Sequence, residues 1–485
     1  SRLPTPDSLL PTPYFQLPTM NKIIAWYRWA MQTGQLPFAI ILTLTIYQPF
    51  EDFVLNWLPL PSPLIALIRF VPEIILYILM VRVIYLRLSS GKGIRKTPLD
   101  ILIIAFFIAS MISIVVNHAG IPGSIKNLRT NFRYISVYYT VVNIDISIEQ
   151  LATLLKSIRL ASLIQAGIAS IQYFLPASIS QKLFTRQVIH SGTMAAKNAS
   201  IGTFGDSAIL SGFLMLAISV FISHVYTNSS HIIPTFKDSA SILVLYFANF
   251  ASKKRAGLMI SLLIPILVLI HLNRKRDTAL ILWFATALLI TVVLISPLLN
   301  LQTSAASVSE DGEIPDLTSY FFSIFSPDYW QHNLEAQRGW AAKTIVNGLM
   351  NSGGWFGFGP EPGALQRGIE NSVILSPDEQ RHLSWHVELL EDAYWFAFLG
   401  YFGIVGLGIF WLILLRLYQT SQSLIKSSSS LEYKSLGVML CTIIIVSFLY
   451  TFVERTFKLR PFSFYFWLLA GLVVNSWSVQ QENRE

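Results

Sequence analysis

Apolar residues along the chain gather into long runs separated by short polar links. The runs fall at about 34–50, 63–86, 98–117, 130–145, 155–176, 205–227, 238–252, 255–272, 277–298, 394–416, 435–453 and 461–478. Each approaches the ~20 residues that a helix needs to cross a ~30 Å hydrocarbon core. A bilayer offers the backbone no solvent partner, so spans of this kind are helical. The pattern predicts an all-α polytopic membrane protein with about 12 transmembrane helices. One long polar stretch, 299–393, breaks the series and reads as a large, partly helical extracytoplasmic loop. It divides the bundle into spans 1–9 (34–298) and spans 10–12 with a short cytoplasmic tail (394–485). Residues 1–33 read as a cytoplasmic lead, disordered over the Pro-rich segment 1–22 and without a signal peptide's basic start and apolar run. The first residue is Ser, so the natural start is expected upstream or near Met20.

Charge orients this pattern. Arg87, Lys92, Arg95 and Lys96 fill the link after the second run, Arg274, Lys275 and Arg276 follow the eighth, and Arg416, Lys426 and Lys434 follow the tenth. Cytoplasmic links carry such an excess. An even number of spans with both termini inside satisfies all three, and places 299–393 outside.

Composition narrows the picture further. The chain is 53% hydrophobic and only 13% charged, against roughly 25% charged in soluble domains. Its net charge of +8 is explained by orienting loops and needs no nucleic-acid partner. The single cysteine, Cys441, lies inside an apolar run; it excludes a disulfide framework within one chain and reads as packing.

Sixteen of the 35 Lys and Arg nevertheless fall on the outer side, densest at the corners 251–256 and 454–460. Cations at a membrane edge are costly, and persist when paired or when they hold an anion. Too few outer acids lie near these corners in sequence to pair them all. An anion gripped by helix-end Arg and Lys beside a bilayer suggests a phosphate, because the planar Arg fork gives two hydrogen bonds to its oxygens. A lipid-linked diphosphate suits the location, with its tail in the membrane and its head in the cationic cradle. Arg255, at the mouth of the eighth run, is the leading candidate. For individual lysines, contact with anionic lipid headgroups is the plainer use.

Four stretches carry a likeness to a known family. They are Ile201–Ser219 (IGTFGDSAILSGFLMLAIS), Ala251–Ile270 (ASKKRAGLMISLLIPILVLI), Gln337–Gly363 (QRGWAAKTIVNGLMNSGGWFGFGPEPG) and Glu391–Phe410 (EDAYWFAFLGYFGIVGLGIF). In order and spacing they resemble the O-antigen ligase and O-antigen polymerase superfamily of bacterial polysaccharide assembly, over roughly residues 98–478. The resemblance implies a GT-C-type glycosyltransferase fold in the bacterial inner membrane. It also implies transfer of a glycan from an undecaprenyl diphosphate carrier to a saccharide acceptor, without metal, nucleotide or other cofactor. A flippase and a chain-length regulator are the partners it suggests. Family ligases carry His-Asn where this chain has Glu391-Asp392, with Asp392 at the His position. That departure weakens a lipid A ligase and leaves a polymerase at least as well supported.

Such a transfer needs cations for the leaving diphosphate and a base for the acceptor hydroxyl. The resemblance makes Arg255 the motif arginine and Arg338 the outer-loop arginine, with Lys254 assisting. Arg129 and Arg133, at helical spacing near the fourth run, could line the same cavity. Asp392, by position, His386, by its ordinary pKa, and Glu388 are the base candidates, with Glu391 weighed beside them. No outer carboxylate cluster shows metal-ligand spacing. The Gly-rich segment 353–363 reads as a flexible hinge, or as backbone N–H groups presented to phosphate. Arg69 and Glu73, four apart in the second run, are expected to pair with each other.

The alternative function is a multi-pass solute transporter, of inorganic carbon or in polysaccharide export. Transporters often show inverted repeats and midplane breaks; no repeat is evident here, and the unusual charges sit at the outer face. A purely structural membrane protein would leave the outer arginines unexplained.

Overall fold

The computed structural model describes residues 34–58, 60–175, 199–228, 234–274, 338–352, 354–374 and 393–482, with isolated positions at 28, 30–32, 179, 277 and 391. The lead, the run at 277–298 and most of 299–393 lie outside the described residues, as do Asp392, His386 and Glu388. All regular structure among the described residues is helical.

The helices are α1 (Leu36–Tyr47), α2 (Glu51–Trp57), α3 (Ser62–Ile68), α4 (Val71–Ser89), α5 (Asp100–Val116), α6 (Ile121–Asn131), α7 (Ile135–Asn143), α8 (Ile148–Phe174) and α9 (Ser207–Asn228). They continue as α10 (Phe236–Ala251), α11 (Arg255–Ser261), α12 (Ile264–His271), α13 (Arg338–Ser352), α14 (Pro362–Ser372), α15 (Tyr394–Ser427), α16 (Leu431–Tyr450) and α17 (Arg460–Glu482). Among the described residues, seven helical stretches are long and apolar enough to cross a membrane: Leu36–Leu55, Pro63–Ser89, α8, α9, α15, α16 and α17. Helix α5 and the α11–α12 pair are apolar but shorter. The protein is thus an all-α, membrane-embedded helical bundle.

The run at 130–145 is the shortest link between the two ends of the bundle. It folds as the end of α6, a turn, and the nine-residue α7, about 14 Å long at 1.5 Å per residue, and leads from Arg133, beside Glu73, to Asp145, beside Arg87 and Arg95. Every residue of α7 but Tyr139 is buried, because it is packed between α4 and α17. Thr140 and Asn143 are tolerated there because their side chains bond to the backbone of α7 itself. Thr140 donates to the Ser136 carbonyl at 2.6 Å, and Asn143 to the Tyr139 carbonyl at 2.9 Å.

Helices α9, α16 and α17 form the centre. Each is apolar around its whole circumference, as a fully enclosed helix must be, and from Leu210 to Phe221 every residue of α9 is buried. Helices α4 and α5 lie outside, turning Ile74, Ile78, Val81, Ile101, Ile104 and Val115 outward, as a surface facing lipid chains would.

Alternating chain direction gathers the corners into two ends. At one end Asp145 meets Arg87 (3.7 Å), Lys92 (3.7 Å) and Arg95 (2.8 Å), and Arg95 reaches Glu482 near the C-terminus (3.6 Å). The other end collects 69–73, 117–134, 199–206, 252–255, 354–363, 391 and 451–460, and is the cation-rich end.

Helix α15 is broken near this end. Gly403 has φ 68° and ψ −173°, a conformation open essentially to Gly alone. The segment 354–358 fills the break, backbone against backbone. Phe358 N–H donates to the Gly400 carbonyl at 2.7 Å, and Val405 N–H to the Trp355 carbonyl at 3.2 Å. The Ser113 hydroxyl reaches the carbonyls of Phe356 (2.6 Å) and Tyr401 (3.1 Å). The Gly-rich segment is therefore a docked strap. It gives the Phe358 N–H and the Gly354 and Trp355 carbonyls to the helix break, which differs from the flexible hinge expected of it.

Candidate functional site at the cation-rich end

A cavity of about 720 Å³ opens at the cation-rich end. One wall is α6, through Gly123, Lys126, Asn127 and Thr130. The strap and the start of α14 add Glu361, Pro362 and Gly363; the start of α9 adds Asp206 and Ile209. Glu391, Arg455, Lys458, Leu459 and Arg460 complete it.

Each wall is positioned by local chemistry. Helix α6 begins at Gly120, which has no side chain to cap it, and the Glu361 carboxylate does so instead, accepting from Gly120 N–H at 2.7 Å. An anion at a helix N-terminus is favoured by the helix dipole. A Cβ on Gly120 or Gly123 would collide with the Glu361 side chain, which explains both glycines. Asp206 is held by the turn before α9. There the Gln172 side chain takes the N–H groups of Ile201 (3.0 Å) and Gly202 (2.8 Å) and gives a hydrogen bond to the Gly202 carbonyl (2.7 Å). Gln165 binds Thr203 and the Pro49 carbonyl. Two glutamines of α8 thus fix the Gly-Thr-Phe-Gly turn, and the turn presents Asp206, whose carboxylate caps Ala208 N–H at 2.7 Å.

The corner 451–460 is tied down by acids distant in sequence. Glu391 accepts from Lys458 (2.8 Å) and the Tyr401 hydroxyl (2.7 Å), and pairs with Arg455 at 3.4 Å. Lys458 lies beside the rings of Tyr394 and Tyr401, 5.3 and 5.1 Å from their centroids. The Tyr394 hydroxyl bonds the Asn131 side chain of α6. Burial opposes ionisation of Glu391, yet Lys458, Tyr401 and Arg455 outweigh it and hold the carboxyl below its ordinary value. Burial pulls the Lys458 ammonium below its own. Glu391, held ionised by three donors, is a poor proton acceptor.

Beneath the cavity lies a second ionic cluster. Arg460 bridges Glu51 (3.0 Å) and Glu73 (2.8 Å) and donates to the Arg69 carbonyl at 2.5 Å. Glu73 also takes Arg129 (3.0 Å) and Arg133 (3.2 Å). Arg69 pairs with Asp52 at 3.0 Å. The expected Arg69–Glu73 pair is thus replaced. Glu73 faces the bundle and Arg69 turns to α2, so partners come from four other segments. The expected shortage of acids is likewise corrected. Those pairing with the corner sit inside spans, at Glu51 and Glu73, or across the loop at Glu391.

The predicted binding residues divide accordingly. Arg129 and Arg133 are committed to Glu73, and Arg129 also covers the Phe70 ring at 4.3 Å; neither lines the cavity. Lys254 pairs with Glu454 at 3.8 Å, and Arg255 follows as the first residue of α11. Arg338 opens α13 within electrostatic reach of Tyr450, as are Glu454 and Asp206. These three form a flank behind the corner and are not cavity-lining residues.

Sequence reasoning missed Lys126, Asp206, Glu361 and the roles of Lys458 and Arg460, although the density of the 454–460 corner was a usable signal. Of the three acids lining the cavity, Glu361 pairs with Arg367 at 3.4 Å and Glu391 with two cations; Asp206 has no cationic partner among the described residues. Lys126 likewise makes no ion pair there. No group of three or more His, Cys, Asp or Glu among the described residues is gathered as a metal-ligand set. The cavity can therefore offer cations to an anion, and one uncommitted carboxylate to a proton. No protein-family model and no curated protein matches the chain.

Proposed function

We propose that the protein transfers a glycan from an undecaprenyl diphosphate carrier to a saccharide acceptor, as a polymerase or ligase of the O-antigen superfamily. On this reading the bundle has twelve spans in a bacterial inner membrane, with both termini cytoplasmic and the 299–393 loop outside. The carrying observation is the cavity, where three of the four resemblance motifs meet the 454–460 corner around one charged chamber. It lies at the bundle end where a lipid-anchored diphosphate would present its head. Lys126 and Arg455 are assigned to the diphosphate, with Arg255, Lys254 and Arg338 behind them steering the anion. Asp206 is assigned as the base that accepts the acceptor's proton, ahead of Asp392, His386 and Glu388. The break in α15 would favour a transporter if it were open, but the strap fills it.

The test uses Asp206→Asn. Asn caps a helix as well as Asp does, so the turn and α9 are preserved while the base is removed. The variant should reach wild-type abundance in the membrane and lose ~10²–10⁴ in the rate of polymer formation from a lipid-linked repeat unit. A folded Asp206→Asn protein working at the wild-type rate would remove Asp206 from the mechanism.

A further inference from the structure

A second cavity of about 710 Å³ lies at the opposite end of the bundle, between α9, α12, α15 and α16. Its lining carries Arg274, Lys426 and Lys434, and none of its described lining residues is acidic. Arg274 has Asp277 as a counter-ion at 3.8 Å. At its back, the Gln422 amide lies 2.9 Å from His271 Nδ1, and His271 Nε2 is buried without a hydrogen-bond partner among the described residues. Ile270 and Leu431 line the same cavity and are 55% and 47% exposed.

We propose that this cavity binds the phosphate head of an anionic membrane phospholipid. Among the described residues, three lining cations against the single carboxylate of Asp277 leave net positive charge for an anion. A buried imidazole nitrogen provides a further polar contact, as donor or acceptor according to tautomer. Some of this charge also complements helix C-termini, since Lys426 is in the last turn of α15 and Arg274 follows α12. Lys434 has no such role, because it lies in the first turns of α16, where a cation opposes the dipole. The ligand chemistry is a phosphate ester, and the apolar rim decides between its two sources. Ile270 and Leu431 would be wetted for nothing beside a soluble phosphate, whereas acyl chains would cover them. Basic pockets between membrane helices are suited to such headgroups. The site is independent of the proposed transfer reaction, whose cavity is at the other end.

The experiment uses the full-length protein in detergent, titrated separately with phosphatidylglycerol, phosphatidylcholine and inorganic phosphate. Thermal unfolding and retained lipid by native mass spectrometry are the readouts. Phosphatidylglycerol should stabilise the wild type saturably, while phosphatidylcholine and inorganic phosphate should not. Lys426→Gln/Lys434→Gln removes two charges, each worth about fivefold near an anionic surface, so it should need ~30-fold more phosphatidylglycerol. Lys156→Gln, an exposed lysine of α8, should respond as wild type. Lys426→Gln alone serves if the double variant does not fold, with ~5-fold weaker binding expected. Equal responses of wild type and the Lys426 and Lys434 variants would overturn the site. Stabilisation by inorganic phosphate and not by lipid would overturn the phospholipid as its occupant.

Discussion

Substituting Gly403 by Ala should release the strap from α15, and the size of the effect follows from two geometric facts. At φ 68° and ψ −173° a residue with a Cβ carries about 1–3 kcal/mol of backbone strain. The new Cβ would also stand 2.2 Å from the Trp355 carbonyl oxygen and 2.4 Å from Gly357 N. Relieving such overpacking costs a further ~1–3 kcal/mol. The strap is held to the break by only a few backbone bonds, those of Phe358, Ile404 and Val405, so it is the part that yields. A loss of ~2–6 kcal/mol corresponds to ~30-fold to ~10⁴-fold faster hydrogen exchange at those amides, at about 1.4 kcal/mol per decade. Exchange measured by mass spectrometry on the purified protein reads this directly. Gly408, one turn further along the same helix, is the control. Nothing lies within 4 Å of its added Cβ, and Gly408→Ala should gain roughly 0.5–1 kcal/mol from helix propensity alone. If Gly403→Ala left exchange over 354–358 and 404–405 unchanged, or if Gly408→Ala accelerated it equally, the strap would not depend on the break.

Other perturbations probe the charges. Glu73→Gln leaves three arginines around a neutral group, and removing one partner of a buried ion cluster costs about 3–5 kcal/mol; reduced abundance and a lower melting temperature in detergent should show it, and an unchanged protein would mean the arginines find other support. Glu391 has a folded pKa below its ordinary 4.5. Between those two values the unfolded chain binds the extra proton, so its contribution is full above 4.5 and fades as pH falls through the folded value. Melting temperature should therefore drop on acidification in that window, and Glu391→Gln should flatten the drop; identical acid profiles would remove Glu391 from the linkage. Where the diphosphate rests is decided by comparing Lys126→Ala with Arg255→Ala and Arg255→Lys in polymer synthesis. Lining the cavity, Lys126 should carry the larger loss, and Arg255→Lys should retain most activity if that arginine only steers. If both Arg255 variants lose ~10²–10³ in rate while Lys126→Ala does not, the anion is gripped at the α11 flank.

The helices were legible because lipid-crossing segments declare themselves in hydropathy. Described helices lie at every apolar run except 277–298, which is outside the described residues, and most ends agree within several residues, although α15 continues to Ser427, well past its run at 394–416. At 130–145 hydropathy left the helix length open, because apolarity reports burial and says nothing of what does the burying. Helix α7 is apolar from enclosure between α4 and α17, so its nine residues read like a longer helix. The break at Gly403 was visible only as one of several glycines, Gly400, Gly403, Gly406 and Gly408, in a quoted motif, and small residues are equally at home in close helix packing. That a strap from the loop fills it depends on contacts across nearly fifty residues of chain, which no local pattern carries. Asp206 was hidden differently. It sat inside a quoted motif just before a helix, where a carboxylate serves as a cap, and its second face appears only once α6 and the corner enclose it.

The cations show most clearly where local charge counting fails. Glu51 and Glu73 lie in apolar runs and look like anomalies to be neutralised nearby, while Arg460 lies some four hundred residues on and looks like surplus. Brought together, four arginines (Arg69, Arg129, Arg133 and Arg460) share three carboxylates (Asp52, Glu51 and Glu73), and Arg455 and Lys458 share Glu391. Positive charge is still in excess, and at Arg129, Arg133, Lys458 and Arg460, whose side chains are no more than 30% exposed, it is fixed in place by ion pairs in or beside the cavity wall. A cation held this way cannot swing to meet an anion; it sets a field that the anion enters. A fixed field costs no reorganisation at the moment charge develops on a leaving group, which is what makes preorganised donors effective in catalysis. The arginines expected to line the same cavity, Arg129 and Arg133, fit this role better than that of ligands. Their effect on a bound anion would run through Glu73 and Arg460 and reach the ligand as potential. Replacing either should therefore weaken stability and anion affinity together, whereas replacing Lys126 should weaken affinity alone.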